Sequence, residues 1–160
     1  MQIQTSDYDR SDVNRLLTAL KHQEPDRVPH LELWVTSQAV YEYVLERKLR
    51  YTIGDAAEGG QSITPEDDVE FARRQGEDAV LCNCNWRPNN VFRLAEDGTR
   101  HYVDGEIKTW ADLESKLDPP PSLDDQLRHL ERYLKAAQGT GVGVIANLTS
   151  FFDSAMLAIG

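Results

Sequence analysis

The chain has little with which to cross-link itself or grip another molecule. It carries two cysteines, two methionines and four histidines in 160 residues. Two thiols cannot build the disulfide framework on which small secreted domains rely. Cys82 and Cys84 also stand one residue apart, a spacing that strains any bridge between them. No apolar run reaches the roughly 18 residues needed to span a bilayer. The opening MQIQTSDYDRSDVNR is polar and contains no apolar signal segment, so the expected compartment is the reducing cytoplasm. A basic tract is missing too. With 17 basic against 27 acidic residues the formal charge is -10. Such a surface repels nucleic-acid phosphates and anionic lipid, so neither nucleic acid nor membrane is expected as a partner.

What is present reads as one α/β domain over residues 1–160, with 40% hydrophobic content for a core. Val13, Leu16, Leu17 and Leu20 recur at helical spacing and predict an N-terminal helix over 10–22, capped by Ser11 or Asp9. HLELWV, residues 30–35, alternates like a strand, with Leu31, Leu33 and Val35 on one face and His30, Glu32 and Trp34 on the other. Ser37 can cap a helix reaching about Leu49, with Val40, Val44 and Leu45 inward. After a glycine-rich loop, Thr64, Pro65 and Asp67 open a further helix that Gly76 closes.

DAVLCN is a short apolar strand, and VFRLAEDGTRHYV predicts a hairpin turning at EDG. Thr109 and Asp112 box a short helix that DPPP ends. Residues 123–138 form an amphipathic helix with Leu123, Leu127, Leu130 and Leu134 inward. VGVIANL is another buried strand, and SFFDSAMLAIG begins a last helix. Apolar strands separated by helices predict a parallel sheet with crossover helices. Three such strands make a small sheet, so the pattern reads as part of a larger α/β structure.

One stretch is specific. NRLLTALKHQEPDRVPHLELWV resembles the opening of the uroporphyrinogen decarboxylase superfamily, a helix of the form R-x-x-x-A-L-x-x-x-x-x-D-R-x-P leading into the first barrel strand. The matching positions are Arg15, Ala19, Leu20, Asp26, Arg27 and Pro29. PEDDVEFARRQGEDAVL looks like the family's helix into its second strand, and VIANLTSFFDSAMLAIG like its third strand and following helix. YVDGEIKTWADLESKLDPP is similar to a segment of the methyltransferase-like branch. The resemblance runs from about residue 12 to residue 160. It implies the N-terminal part of a (β/α)8 TIM barrel with an inserted β-hairpin, an incomplete barrel domain of about half the length that architecture needs.

For the whole protein the resemblance implies methyl transfer among a methylated substrate, a corrinoid protein and an acceptor. Zinc would be held by His and Cys of later strands, so no cofactor is assigned to these 160 residues. The family's decarboxylases instead use arginines after the first strand and an aspartate after the second. Here WVTSQAVYEY has no arginine, and Asn85 stands where the aspartate would fall. Decarboxylation of a porphyrinogen or another carboxylated substrate is the alternative. A non-catalytic partial barrel, completed by a second half or by a second copy, is another.

Barrels bind small-molecule substrates at the carboxyl ends of their strands. The candidates there are Glu32 as an acid or base, its pKa raised by burial, and Trp34, Asn83, Asn85, Trp86, Asn147 and Phe151 as substrate-binding residues. Cys82 and Cys84 read as packing or lumen lining, or as metal or redox groups. A zinc site needs three or four ligands, and C-x-C with no histidine nearby supplies too few.

Overall fold

The structure is a computed structural model that describes residues 10–33, 35, 37–53, 62–86, 88–94, 100–148 and 150–160. In chain order the described elements are α1 (Val13–Leu20), α2 (Gln38–Leu45), α3 (Pro65–Gln75), β1 (Ala79–Asn83), β2 (Asn90–Leu94), β3 (Arg100–Gly105), α4 (Trp110–Lys116), α5 (Leu123–Ala137), β4 (Gly143–Asn147) and α6 (Phe151–Ile159). The architecture is mixed α/β. The strands lie in two small sheets, β1 with β4 and β2 with β3, and among the described residues no barrel closes. No helix among them is long and apolar enough to cross a membrane. The chain divides into two compact units, Met1–Cys82 with His129–Ala146 and Asn83–Arg128 with Asn147–Gly160.

In the first unit α1 is capped by neither expected residue. Asp12 takes the cap, its carboxylate accepting from Asn14 N at 3.0 Å, and Asp9 lies outside the described residues. The expected strand over 30–35 is absent from the described residues of that stretch. The reason lies in its main-chain donors. His30 N donates to Asp78 Oδ2 at 3.0 Å and Glu32 N to Glu77 Oε2 at 3.4 Å, so carboxylates take the place of a strand ladder. One main-chain bond, Asp78 N to His30 O at 2.6 Å, still holds the segment beside the start of β1.

One hydrophobic cluster of this unit is Tyr41 and Leu45 of α2, Phe71 of α3, and Leu49, with Val35, Val44, Tyr51, Ile53 and Ile63 packed around them. The Tyr41 and Phe71 ring centroids are 4.3 Å apart. α2 stops earlier than its apolar spacing predicts, because Glu46 turns left-handed with φ 55° and closes the helix onto Glu42 O and Tyr43 O. Ser37 stands at its start without a side-chain capping bond, and Val40 is exposed. α3 is built as the sequence predicts at both ends: Thr64 Oγ1 accepts from Asp67 N, Pro65 is in the first turn, and Gly76 is left-handed with φ 70°. Asp67 does not complete the box. Its carboxylate instead takes Tyr51 OH at 2.6 Å, Thr64 Oγ1 at 3.0 Å and Arg47.

β1 and β4 are sheet neighbours although two strands and two helices intervene in the chain. Gly143 N donates to Asp78 O at 2.9 Å, and further along Cys84 N donates to Asn147 O at 3.0 Å. Both residue numbers rise together, so the pair is parallel and needs a crossover. This is the connection the sequence predicts. Cys82 and Ala79 of β1 are buried, whereas β4 is only partly covered.

The second unit holds the predicted hairpin. β2 and β3 pair antiparallel from Asn90↔Gly105 to Leu94↔Arg100, with an irregularity between Val91 and Phe92. Its EDG turn lies outside the described residues. α4 carries the full Thr109–Asp112 capping box. α6 is capped by Ser150, which accepts from Asp153 N at 3.0 Å. The inward stripe expected of α5 is corrected: Leu123, Leu127 and Leu134 are exposed, and Tyr133 and Ala137 are its buried residues.

Candidate functional site

The second unit gathers the polar residues that follow β1 and β4. Asn147 Nδ2 donates to Asn83 Oδ1 at 2.9 Å, which joins the two strand ends through their side chains. Cys84 N donates to Asn147 O, so the main chain joins them as well. Trp86 follows two residues later. Its carbonyl accepts from Ser154 Oγ of α6 at 2.8 Å. Two buried polar atoms there have no partner, the Oδ1 of Asn85 and the Nε1 of Trp86. An unpaired acceptor and an unpaired donor on adjacent residues are costly unless something bonds to them.

This arrangement can bind and orient, and its side chains are neutral. Amides and an indole N–H hold a carbonyl, a carboxyl or a heterocycle by hydrogen bonds. The structure thus brings Asn83, Asn147, Asn85 and Trp86 into one unit. Phe151 also belongs to it but is 92% exposed at the start of α6. Trp34 lies outside the described residues.

Glu32 belongs to the first unit, and its surroundings differ from those expected. Its side chain is 59% exposed and lies 3.6 Å from His30 Nε2, so the expected burial is missing. Two carboxyls that sequence reasoning passed over as helix and turn residues are more enclosed, Glu77 buried and Asp68 partly buried. Burial pushes both pKa values up. Glu77 is 3% exposed, and its Oε1 has no partner. Asp68 is gripped by two phenols, Tyr41 OH at 2.8 Å and Tyr133 OH at 3.1 Å, and burial, with the Asp68 charge beside them, raises both phenol pKa values. That clamp fastens α2 and α5 onto α3. The only sequence signal for it is polar residues on otherwise apolar helix faces.

The cysteines form no disulfide. Cys82 is fully buried in β1 and Cys84 is half-buried. Among the described residues no three His, Cys, Asp or Glu side chains are arranged to hold a metal ion.

The motif residues of the N-terminal stretch meet at one carboxylate. Asp78, just before β1, is 1% exposed and Arg15 is 6% exposed. Asp78 Oδ1 accepts from Asp12 N at 2.8 Å, Arg15 Nη1 at 3.0 Å and Arg27 Nη2 at 3.2 Å. Arg15 turns its other edge to Asp26, at 2.7 Å and 3.1 Å, in a bidentate pair. Those bonds to Asp26 and Asp78 outweigh burial and raise the Arg15 pKa, while Arg15 lowers that of Asp26. Arg15, Asp26 and Arg27 thus anchor α1 to the start of β1. Comparison of the chain with family models, with curated proteins and with solved structures gives no match.

Proposed function

We propose that the chain is the N-terminal part of a uroporphyrinogen decarboxylase-like methyltransferase, which moves a methyl group between a small-molecule substrate and a corrinoid protein. The observation that carries the reading is the set of amides, Asn83, Asn85 and Asn147, beside Trp86 at the carboxyl ends of the parallel pair β1 and β4. Parallel barrels hold their substrates at those ends. The Arg15–Asp26–Arg27 cluster on Asp78 supports it too, because the residues that carry the resemblance act together. In this reading Asn83, Asn85 and Asn147 orient the substrate, and zinc and the corrinoid belong to the later strands and to the partner protein. An amide at Asn85 does not supply the negative charge that decarboxylation through a cationic pyrrole calls for, so the decarboxylase reading is the weaker one.

The test is to isolate the gene product from its source cells, weigh it, count its zinc, and assay methyl transfer from methylcobalamin to a thiol. The reading expects roughly twice the present mass, as a full barrel requires, with bound zinc and methyl transfer that Asn85→Ala and Asn147→Ala depress. Decarboxylation of a porphyrinogen without methyl transfer would establish the alternative instead. A product without either activity would end the enzymatic reading.

A further inference from the structure

The first unit contains a cavity of about 550 Å³ lined by Arg47, Lys48, Arg50, Tyr51 and Asp67. That size lies in the range of small-molecule sites. Its lining has three cations against one carboxylate, although the chain as a whole carries a charge of -10. The carboxylate is already engaged. Asp67 receives Tyr51 OH, Thr64 Oγ1 and Arg47 Nη2, and those donors hold its pKa down against the opposing effect of burial. It therefore fixes one end of Arg47.

The donors left over point to an anion. Arg47 spends Nη2 on Asp67, which leaves Nε and Nη1 without a side-chain partner among the described residues. Lys48 is mostly exposed and pairs with Glu42 at 2.5 Å. Arg50 is exposed, with no ion pair among the described residues. A neighbouring cavity of about 580 Å³ shares Arg47 and Lys48 but is lined by Glu42 and Glu46. Its carboxylates repel an anion, so the Arg50 side is the attractive one.

We propose that Arg47, Lys48 and Arg50 form a binding site for a dianionic oxyanion, of the phosphate or phosphate-ester class. Two guanidinium groups and an ammonium suit a doubly charged ligand with several oxygens, since guanidinium bonds such groups through paired N–H donors. A singly charged carboxylate uses only part of the set. The site lies on residues of the first unit and is separate from the amide cluster of the proposed function.

The experiment is calorimetric titration of the intact chain with inorganic phosphate, pyrophosphate and acetate at fixed ionic strength, repeated on Arg50→Ala and Arg50→Lys. Circular dichroism checks that the variants fold, and Arg50 is chosen because it has no ion-pair partner among the described residues. Saturable binding of phosphate or pyrophosphate is expected, at least tenfold tighter than acetate. Arg50→Ala should weaken it about tenfold, as loss of one charge-assisted contact does, and Arg50→Lys should restore part of the loss. Absence of saturable binding, equal affinity for acetate, or an unchanged affinity in Arg50→Ala would each overturn the proposal.

Discussion

Removing the carboxylate of Asp78 should damage the chain more than any other single change in the N-terminal network. Asp78→Ala deletes the acceptor for two main-chain donors, Asp12 N and His30 N, and for two guanidinium groups, Arg15 and Arg27. The site is closed to water, with Asp78 1% exposed. Breaking a buried pair by removing one partner costs about 3–5 kcal/mol, because the remaining charge stays buried and uncompensated. With a urea slope of about 2 kcal/mol/M, that is a fall of about 2 M in the unfolding midpoint. Typical domains hold only about 5–15 kcal/mol in all.

The geometry also ranks the variants. Arg15→Met leaves Asp78 with Arg27 and both main-chain donors, so it should cost less than Asp78→Ala. Asp26→Ala should cost least, since Asp26 is half exposed and Arg15 keeps Asp78. Urea titration followed by circular dichroism reads all three midpoints. A loss under about 1 kcal/mol for Asp78→Ala would mean that water satisfies the freed donors, and the reasoning from burial would fail. The order Asp26 > Arg15 > Asp78 would refute it as well.

Three other outcomes are expected. Burial raises the Glu77 pKa, so folding favours its protonated form. Its contribution is fully present below the ordinary carboxyl range and lost as pH climbs through the folded value; Glu77→Gln should therefore be more stable than wild type at pH 7 and equal to it at pH 4, in urea titrations at both. Asn89 is buried and left-handed with φ 53°, and its side chain joins Glu106 Oε2, Lys116 O and Asp118 N; Asn89→Ala should cost about 2–3 kcal/mol by the same assay. A Cβ at Gly105 would stand 2.0 Å from Ala158 O, so Gly105→Ala should force β3 away from α6 at about 1–3 kcal/mol, visible as loss of amide protection at Ile107, which donates to Ala158 O.

Local signals were legible where one residue type has one job. Thr64 with Pro65, Thr109 with Asp112, and Gly76 carry their elements' boundaries in the sequence, because caps act within a turn. The parallel pair β1 and β4 was legible from two short apolar runs separated by helices. Residues 30–35 were not, since alternation records which side chains share a face and not what satisfies the backbone. There the donors were taken by Asp78 and Glu77, distant in sequence. The expected burial of Glu32 went the same way, since the described residues of that stretch form no strand to cover it. The four leucines of α5 show the converse, an amphipathic stripe of which Leu123, Leu127 and Leu134 stay exposed. Amphipathicity fixes the face a helix can bury, and neighbours decide whether it does.

The residues that carry the resemblance have a structural task in this chain. Arg15, Asp26 and Arg27 are spent on anchoring α1 to the start of β1 through Asp78, and none of them is among the residues that gather beyond the strand ends. A clamp of this kind acts on stability, and fold-holding contacts say nothing by themselves about a substrate. The Asp78 series therefore bears on the frame alone. The proposed function rests instead on Asn83, Asn85, Trp86 and Asn147, where the Asn85 acceptor and the Trp86 donor are buried without partners. Variants of the two groups should separate cleanly. Changes at Arg15 or Asp78 should lower stability and activity together, whereas Asn85→Ala should lower methyl transfer and leave the urea midpoint nearly unchanged. If Asn85→Ala unfolds the chain instead, its amide belongs to the frame, and the site would have to be sought elsewhere.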